Sequence, residues 1–149
     1  MNPQNLAAFP RGAITRSGAD KSNKKKLELT LAVGYPGSAV VLHCEGRTIF
    51  HNEAQTLSKV VVEVLPTAHR MILDLASVES IDSGALGELV LTHMWAEAAG
   101  YTLRFASHKR ALRQLFESTN LVSVFDVYPT VADAMAAMVQ EVGQETHSS

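Results

Sequence analysis

Short apolar runs alternate with longer amphipathic segments along this chain, as is typical of strands linked by helices. Apolar and polar residues alternate over 27–33, which predicts a strand with one buried face, and an apolar run at 39–44 predicts a second. Residues 34–37 between them have the composition of a turn, so we expect a hairpin. Residues 71–76, apolar apart from Asp74, predict a central strand covered on both faces.

Four predicted helices link these strands to two later ones. The helices fall at residues 52–65, 84–99, 109–118 and 130–141, and the later strands at 101–106 and 124–128. Asn52, with Gln55 three residues on, has capping-box spacing, and Pro66 is expected to end that helix. Because strands joined through helices pair in parallel, the sequence predicts an α/β domain. We expect a mixed, mostly parallel sheet of four to five strands with about four helices.

Composition sets the domain limits and the compartment. Residues 1–26 lack periodicity and are interpreted as a disordered N-terminal tail, residues 27–141 as the domain, and residues 142–149 as a C-terminal tail. The basic run at 24–26 is read as solvated tail, with a nucleic-acid arm as the alternative. A net charge of -2 gives no global attraction to nucleic acid or an acidic membrane.

The single cysteine, Cys44, excludes an internal disulfide and suits a reducing compartment. Its apolar surroundings predict a buried, inert thiol. No apolar stretch approaches the roughly 20 residues that cross a bilayer, and the N-terminus has no secretion-signal pattern. We therefore expect a cytoplasmic protein that does not associate with membranes.

The turn at residues 80–84 carries the candidate chemistry. There an apolar strand passes directly into a helix and places the hydroxyl of Ser83 beside the carboxylate of Asp82. A helix start carries unpaired backbone N–H groups and a partial positive charge, which favour an anion such as phosphate. Either residue could simply cap the helix; the alternative is that Ser83 accepts a phosphate group.

Other patterns argue against catalysis. The six histidines have no metal-binding spacing and no second cysteine joins them, so we expect no metal site. The turn lacks the Gly-x-Ser-x-Gly elbow of a hydrolase, and the chain has neither a Walker loop nor a dinucleotide-binding turn. The sequence predicts a protein without a cofactor that is not an enzyme.

The helix predicted at 84–99 has two apolar stripes. One consists of Leu86, Leu89, Val90 and His93 and is expected to pack on the sheet; the other consists of Leu91, Met94, Trp95 and Ala98. A surface helix needs only one such stripe. The second could pack beneath a neighbouring helix, or it could form a partner or self-association surface, including one for a homodimer.

The segment Ile81-Asp82-Ser83-Gly84-Ala85-Leu86-Gly87 resembles the motif Asp-Ser-Ser-Gly-Leu-Gly of bacterial anti-sigma factor antagonists, which are STAS domains. Gly46, Ala99-Gly100 and the segments 115–121 and 125–128 support the resemblance, which spans roughly residues 27–139. It implies a single STAS-like domain. It also implies that Ser83 is the phosphorylated serine.

By this resemblance, the protein binds an anti-sigma factor that is an ATP-dependent serine kinase and so releases a sigma factor. Phosphorylation of Ser83 would end the interaction, and a phosphatase would restore it. The expected partner contacts are Asp82, Gly84, Gly87, Arg47, Leu91 and Trp95.

Two departures from the family pattern support a second hypothesis. The second serine of the motif is Gly84 here, and the acidic residue that often follows the second strand is Ile49. The resemblance therefore does not extend to the usual partner contact at that loop. The alternative is a STAS scaffold without a phosphate cycle, acting in a larger signalling assembly or by self-association.

Overall fold

The computed structural model describes residues 26–34, 39–122 and 124–148; from residue 140 onward only the backbone is described. In chain order the elements are β1 (Glu28–Ala32), β2 (Val40–Glu45), β3 (Thr48–Ile49), α1 (His51–Ala68), β4 (Arg70–Asp74), β5 (Ser80–Ile81), α2 (Ser83–Ala98), β6 (Thr102–Ala106), α3 (Arg110–Ser118), β7 (Val127–Tyr128) and α4 (Val131–Ser148). Within these described residues, the predicted α/β architecture with four helices is confirmed. The predicted N-terminal tail and the turn after β1 lie almost entirely outside the described residues.

The main sheet has five strands in the order β1-β2-β4-β6-β7. β1 runs antiparallel to β2 as the predicted hairpin, and the other neighbours pair in parallel. The register places Leu42 opposite Leu73 and Leu73 opposite Phe105, and all three are fully buried. This row of large side chains crosses the centre of the sheet and anchors the core.

Helices cover both faces of the sheet, as the continuous apolar run of β4 predicted. Along β4, Met71 and Leu73 belong to the larger apolar cluster, which includes buried residues of α1, α2 and α3. Ile72, between them, belongs to a smaller cluster with Ala134 and Met138 of α4. Side chains of a strand alternate between faces, so α4 covers the face opposite the other three helices.

The first helix is capped differently from the prediction. It begins at His51 rather than Asn52, and Glu53, not Gln55, reaches back to the cap. One Glu53 oxygen accepts a hydrogen bond from the backbone N–H of Phe50 at 3.1 Å, and the other accepts from that of Leu27, also at 3.1 Å. This carboxylate therefore ties the start of α1 to the residue before β1.

Pro66 does not end α1, which continues to Ala68. Proline lacks an N–H, so within a helix it forfeits the bond to the residue four before it. Only the last turn of α1 is affected here. The residue that caps its C-terminus is His69, which takes a left-handed conformation with φ 69° and donates its N–H to the carbonyl of Leu65.

The other helix limits also shift. α2 begins at Ser83, one residue earlier than predicted, and ends at Ala98, shortly before Gly100 with its φ of 87°. α4 continues to Ser148, well past residue 141, so the C-terminal tail predicted from 142 is helical in backbone over 142–148. The short strands β3 and β5 were not predicted, because two residues are too few to show an alternation.

Cys44 is a buried thiol, as predicted. Its side chain is 2% exposed, and burial together with the nearby Asp74 carboxylate raises its pKa far above the ordinary value. The thiolate is the reactive form of cysteine, so this residue is inert in the folded protein. Among the helices of the described residues, none has the length and apolar character required to span a bilayer.

Candidate functional site

The short strands β3 and β5 bring two helix starts together. They pair in parallel, with Thr48 opposite Ser80 and Ile49 opposite Ile81, and both isoleucines are buried. The backbone N–H of Asp82 extends the ladder by donating to the carbonyl of Ile49 at 3.1 Å. Each strand leads directly into a helix, so α1 and α2 begin side by side at the same end of this two-stranded sheet.

Asp82 lies between these helix starts and caps both. Its Oδ1 accepts a hydrogen bond from the backbone N–H of Ala85 in α2 at 2.8 Å. Its Oδ2 accepts from the backbone N–H of His51, the first residue of α1, at 3.3 Å. A carboxylate is thus placed where the partial positive charges of two helices meet. The capping interpretation is confirmed for Asp82.

Ser83 is not the cap. It is the first residue of α2 and is exposed, and within the described part of the chain its hydroxyl makes no hydrogen bond. A cap would turn its side chain back to a backbone N–H two or three residues later, and here Asp82 already serves that purpose. The hydroxyl is therefore free to meet another molecule.

Gly84 is exposed but lies close to the start of α1. A Cβ atom built on Gly84 would lie 3.0 Å from both Cβ and Cγ of His51. The Cβ position of His51 is fixed by the helix backbone, so a side chain at residue 84 would require the two helix starts to separate by a few tenths of an ångström. This tight contact favours glycine where the related motif has its second serine. Gly87 is also exposed, but nothing lies within 4 Å of its Cβ position.

Arg47 lies just before β3, at the opposite end of that strand from the helix starts. Its side chain is 77% exposed, with Nε 3.4 Å from Oε1 of Glu79, and its carbonyl accepts the backbone N–H groups of Glu79 and Ser80. Ile49, at the position that is often acidic in anti-sigma factor antagonists, points into the core and is fully buried. The surface near β3 thus presents an arginine but no acid at residue 49.

The two apolar stripes of α2 have different environments. Leu89 and His93 are buried, with Leu86 and Val90 half-buried against the core, as predicted for the first stripe. The second stripe divides: its members Leu91 and Met94 are 63% and 57% exposed, whereas Trp95 is half-buried.

The half-buried Trp95 packs on Tyr101, with ring centroids 5.6 Å apart. Its role as a partner contact remains a prediction. On the neighbouring side, α2 packs against α1, where the buried hydroxyls of Ser58 and Thr92 are 2.5 Å apart.

Sequence reasoning missed two residues at the site, Phe50 and His51. Phe50 is 51% exposed and immediately precedes α1, and His51 packs over Gly84. Both lie more than 30 residues from Asp82 in the chain. Only the pairing of β3 with β5 brings them together, and that pairing has no periodic signal in the sequence.

The fold agrees with comparisons to known proteins. The family model of the STAS domain matches residues 30–134. A comparison with curated proteins found no significant match.

Three solved structures illustrate the likeness. An anti-sigma factor antagonist from Mycobacterium paratuberculosis is 24% identical, with a TM-score of 0.61 over 74% of this chain and 93% of that one. A sulfate transporter family protein from Wolinella succinogenes is 19% identical, with a TM-score of 0.60 over 69% and 86%. The Bacillus cell fate determinant SpoIIAA in its phosphorylated form is 14% identical, with a TM-score of 0.56 over 74% and 98%. At these identities the likeness shows the fold alone.

Replacing Asp82 by Ala is expected to lower the free energy of unfolding by about 1–2 kcal/mol, because it removes a cap from each of two helices. Asp82→Asn should be intermediate, since its amide NH2 group cannot accept the second bond. Urea denaturation measures both changes. Asp133→Ala is the control: Asp133 also lies in the first turn of a helix, but its side chain bonds only to the cap residue Thr130. Equal stability of Asp82→Ala and the wild type would contradict the double cap.

Gly84 and Gly87 form a matched pair within one helix. Replacing a helical glycine by alanine ordinarily stabilises a protein by about 0.5–1 kcal/mol, which is our expectation for Gly87→Ala. Gly84→Ala should be less stable than Gly87→Ala by at least about 1 kcal/mol, because its Cβ must displace His51. Thermal and urea unfolding of the two variants provide the measurement. Equal stabilities would show that the contact with His51 is easily relieved.

Proposed function

The chain belongs to the STAS domain family, and we propose that it is a regulatory binding protein of the anti-sigma factor antagonist kind, switched off by phosphorylation of Ser83. Its partner would be an anti-sigma factor that is also an ATP-dependent serine kinase, with a phosphatase reversing the modification in the cytoplasm. The observation that carries this proposal is the Ser83 hydroxyl, exposed and without a hydrogen bond at the start of α2.

The electrostatics of the site suit a switch that acts on the partner rather than on the fold. A phosphate group adds about -1.5 to -2 charges beside the carboxylate of Asp82. Two unit charges about 5 Å apart repel by about 3 kcal/mol at an effective dielectric of 20. Each helix start offsets about 0.3–1 kcal/mol of this, and solvent reaches the exposed side. The folded protein can therefore accept the group.

A partner surface that fits the bare serine would not accept it. On binding, the phosphate would lose water and meet groups arranged for a neutral hydroxyl. A penalty of about 3 kcal/mol lowers affinity by about 10²-fold, which is enough for an on-off response. Phe50 and Gly87 are further exposed positions near the start of these helices that a partner could contact.

The same geometry favours a kinase substrate over a catalyst. Ser83, His51 and Asp82 are the residue types of a hydrolase triad, but they are not connected as one. Asp82 accepts the backbone N–H of His51 and not a ring N–H, and no described hydrogen bond joins the imidazole to Ser83. A serine without a base to remove its proton is a weak nucleophile. Modification by a separate kinase would supply the missing catalytic groups.

Incubation with the cognate kinase and ATP is expected to add one phosphate, located at Ser83 by peptide mass spectrometry. Ser83→Ala should accept none while it retains anti-sigma factor binding. Ser83→Asp, which carries a permanent charge, should weaken that binding by about 10²-fold, measured by titration calorimetry.

Ser80→Ala is the matched control for this experiment. Ser80 lies three residues earlier, but its hydroxyl is paired with Thr48 at 2.9 Å. This variant should be phosphorylated at Ser83 like the wild type. Phosphate at another residue, or undiminished labelling of Ser83→Ala, would refute the proposed switch.

A second function is favoured by Leu91 and Met94, two exposed apolar side chains on α2. They suit a scaffold that self-associates or joins a larger signalling assembly. STAS domains are not confined to anti-sigma factor antagonists, since a sulfate transporter family protein shares the fold.

If scaffolding is the function, the purified protein should be oligomeric in size-exclusion chromatography with light scattering. The double variant Leu91→Ser with Met94→Ser should then be monomeric, because it removes the shared apolar contact. Val139→Ser, which changes a 67% exposed apolar residue on α4, is the control and should leave the oligomer intact. A wild-type monomer would contradict self-association. Trp95→Ala is less suitable, since it also removes the Tyr101 contact.

A further inference from the structure

A buried imidazole and two carboxylates converge at the other end of α2. His93 and Glu97 lie one turn apart on this helix, and Asp126 comes from the segment just before β7. One ligand atom from each, including a ring nitrogen of His93, lies within 4.8 Å of the other two. These are the donor types that bind transition-metal ions in proteins.

The environment of His93 is an independent indication that a ligand binds between these groups. Its side chain is 5% exposed, yet Nε2 has no hydrogen-bond partner. The carboxylate oxygen Oε2 of Glu97 lies 3.6 Å from Nε2, within ion-pair distance but just beyond that of a hydrogen bond. Leaving a buried polar atom without a hydrogen-bond partner is destabilising. A cation between Nε2 and the carboxylates would remove that cost.

The rest of the imidazole is held firmly. Its ring packs edge-on against Phe125, with centroids 5.5 Å apart, and against Phe105 at 6.3 Å. Phe125 directly precedes Asp126, which places the second carboxylate beside the ring.

Arg104 is the positive group at this cluster. Its Nη1 lies 3.1 Å from Oδ2 of Asp126, which leaves the other oxygen of that carboxylate to bind an ion. The side chains of Glu97, Asp126 and Arg104 together carry a formal net charge of -1, so a cation is still attracted. Metal-binding carboxylates commonly accept such a second hydrogen bond, which fixes their orientation.

We propose that His93 Nε2 and the carboxylates of Glu97 and Asp126 bind one divalent ion of the zinc class. Ligand atoms of a tetrahedral zinc site are about 3.3 Å apart when the metal bonds are about 2.0–2.1 Å long. Glu97 and Asp126 are about half exposed, so their side chains can rotate to close the remaining distance. Three protein ligands leave a fourth position for water or for a group from a partner.

The sequence did not predict this site because only two of its three ligands have a recognisable spacing. His93 and Glu97 have a helical i, i+4 relation, but the third ligand lies 29 residues after Glu97 on another element. The ion would tie the C-terminal half of α2 to the segment before β7. Ser83 is ten residues from His93 along α2, about 15 Å, so the two sites are separate.

The test is zinc binding by the full, untagged, metal-free chain. Calorimetry with ZnCl2, checked by dialysis and elemental analysis, should give one ion per chain, and Co2+ should give the visible absorption of a tetrahedral site. Glu97→Gln and Asp126→Asn should each weaken zinc binding about tenfold or more. Because Glu97 is exposed, its variant should fold normally, which circular dichroism would verify. MgCl2 should give no comparable binding, since Mg2+ prefers oxygen ligands.

Two variants serve as controls. Glu117→Gln changes an exposed acid on α3, and His43→Gln breaks another histidine–carboxylate pair, in which Nδ1 of His43 is 2.7 Å from Oδ2 of Asp74. Both should bind zinc like the wild type. The proposal is overturned if the wild type binds no zinc, if Glu97→Gln and Asp126→Asn bind it unchanged, or if His43→Gln abolishes binding.

Discussion

One carboxylate that caps two helices organises the end of the protein at which α1 and α2 begin. Asp82 accepts the first free N–H of α1 with one oxygen and an N–H in the first turn of α2 with the other. Pairing of β3 with β5, in which Ile49 and Ile81 are buried, sets the spacing that makes this possible. A serine or asparagine could cap one helix equally well, but only a carboxylate offers two equivalent acceptors in this geometry. Because Asp82 caps α2, the Ser83 hydroxyl is not needed for capping.

The fold could be predicted from the sequence further than the site could. The continuous apolar run of β4 indicates a strand covered on both faces, and the alternation of β1 indicates a strand with one buried face, so both could be predicted from the sequence. Helix limits were less accurate: the capping partner of α1 is Glu53, and Pro66 lies inside the last turn. Capping depends on which side chain turns back, and composition does not determine that.

Contacts between residues far apart in the chain determine the features of the site that the sequence did not predict. The role of Asp82 follows from its neighbour Ala85 and was within reach of the sequence, but its bond to His51 crosses 31 residues. Gly84, an expected partner contact, is exposed, but its close contact with His51 was not predicted. In both cases the deciding contact joins two helix starts, and local patterns carry no information about which helices begin together.

The contact between His51 and Gly84 also bears on why this motif lacks its second serine. A side chain at residue 84 would need the start of α1 to lie a few tenths of an ångström farther from α2, whereas the bond from the His51 N–H to Asp82 holds the two starts together. The close approach of the two helix starts and the glycine at residue 84 therefore depend on each other. It follows that Ser83 is the single hydroxyl in the first turn of α2, and that α1, through His51 and the neighbouring Phe50, borders the surface on which that hydroxyl is exposed.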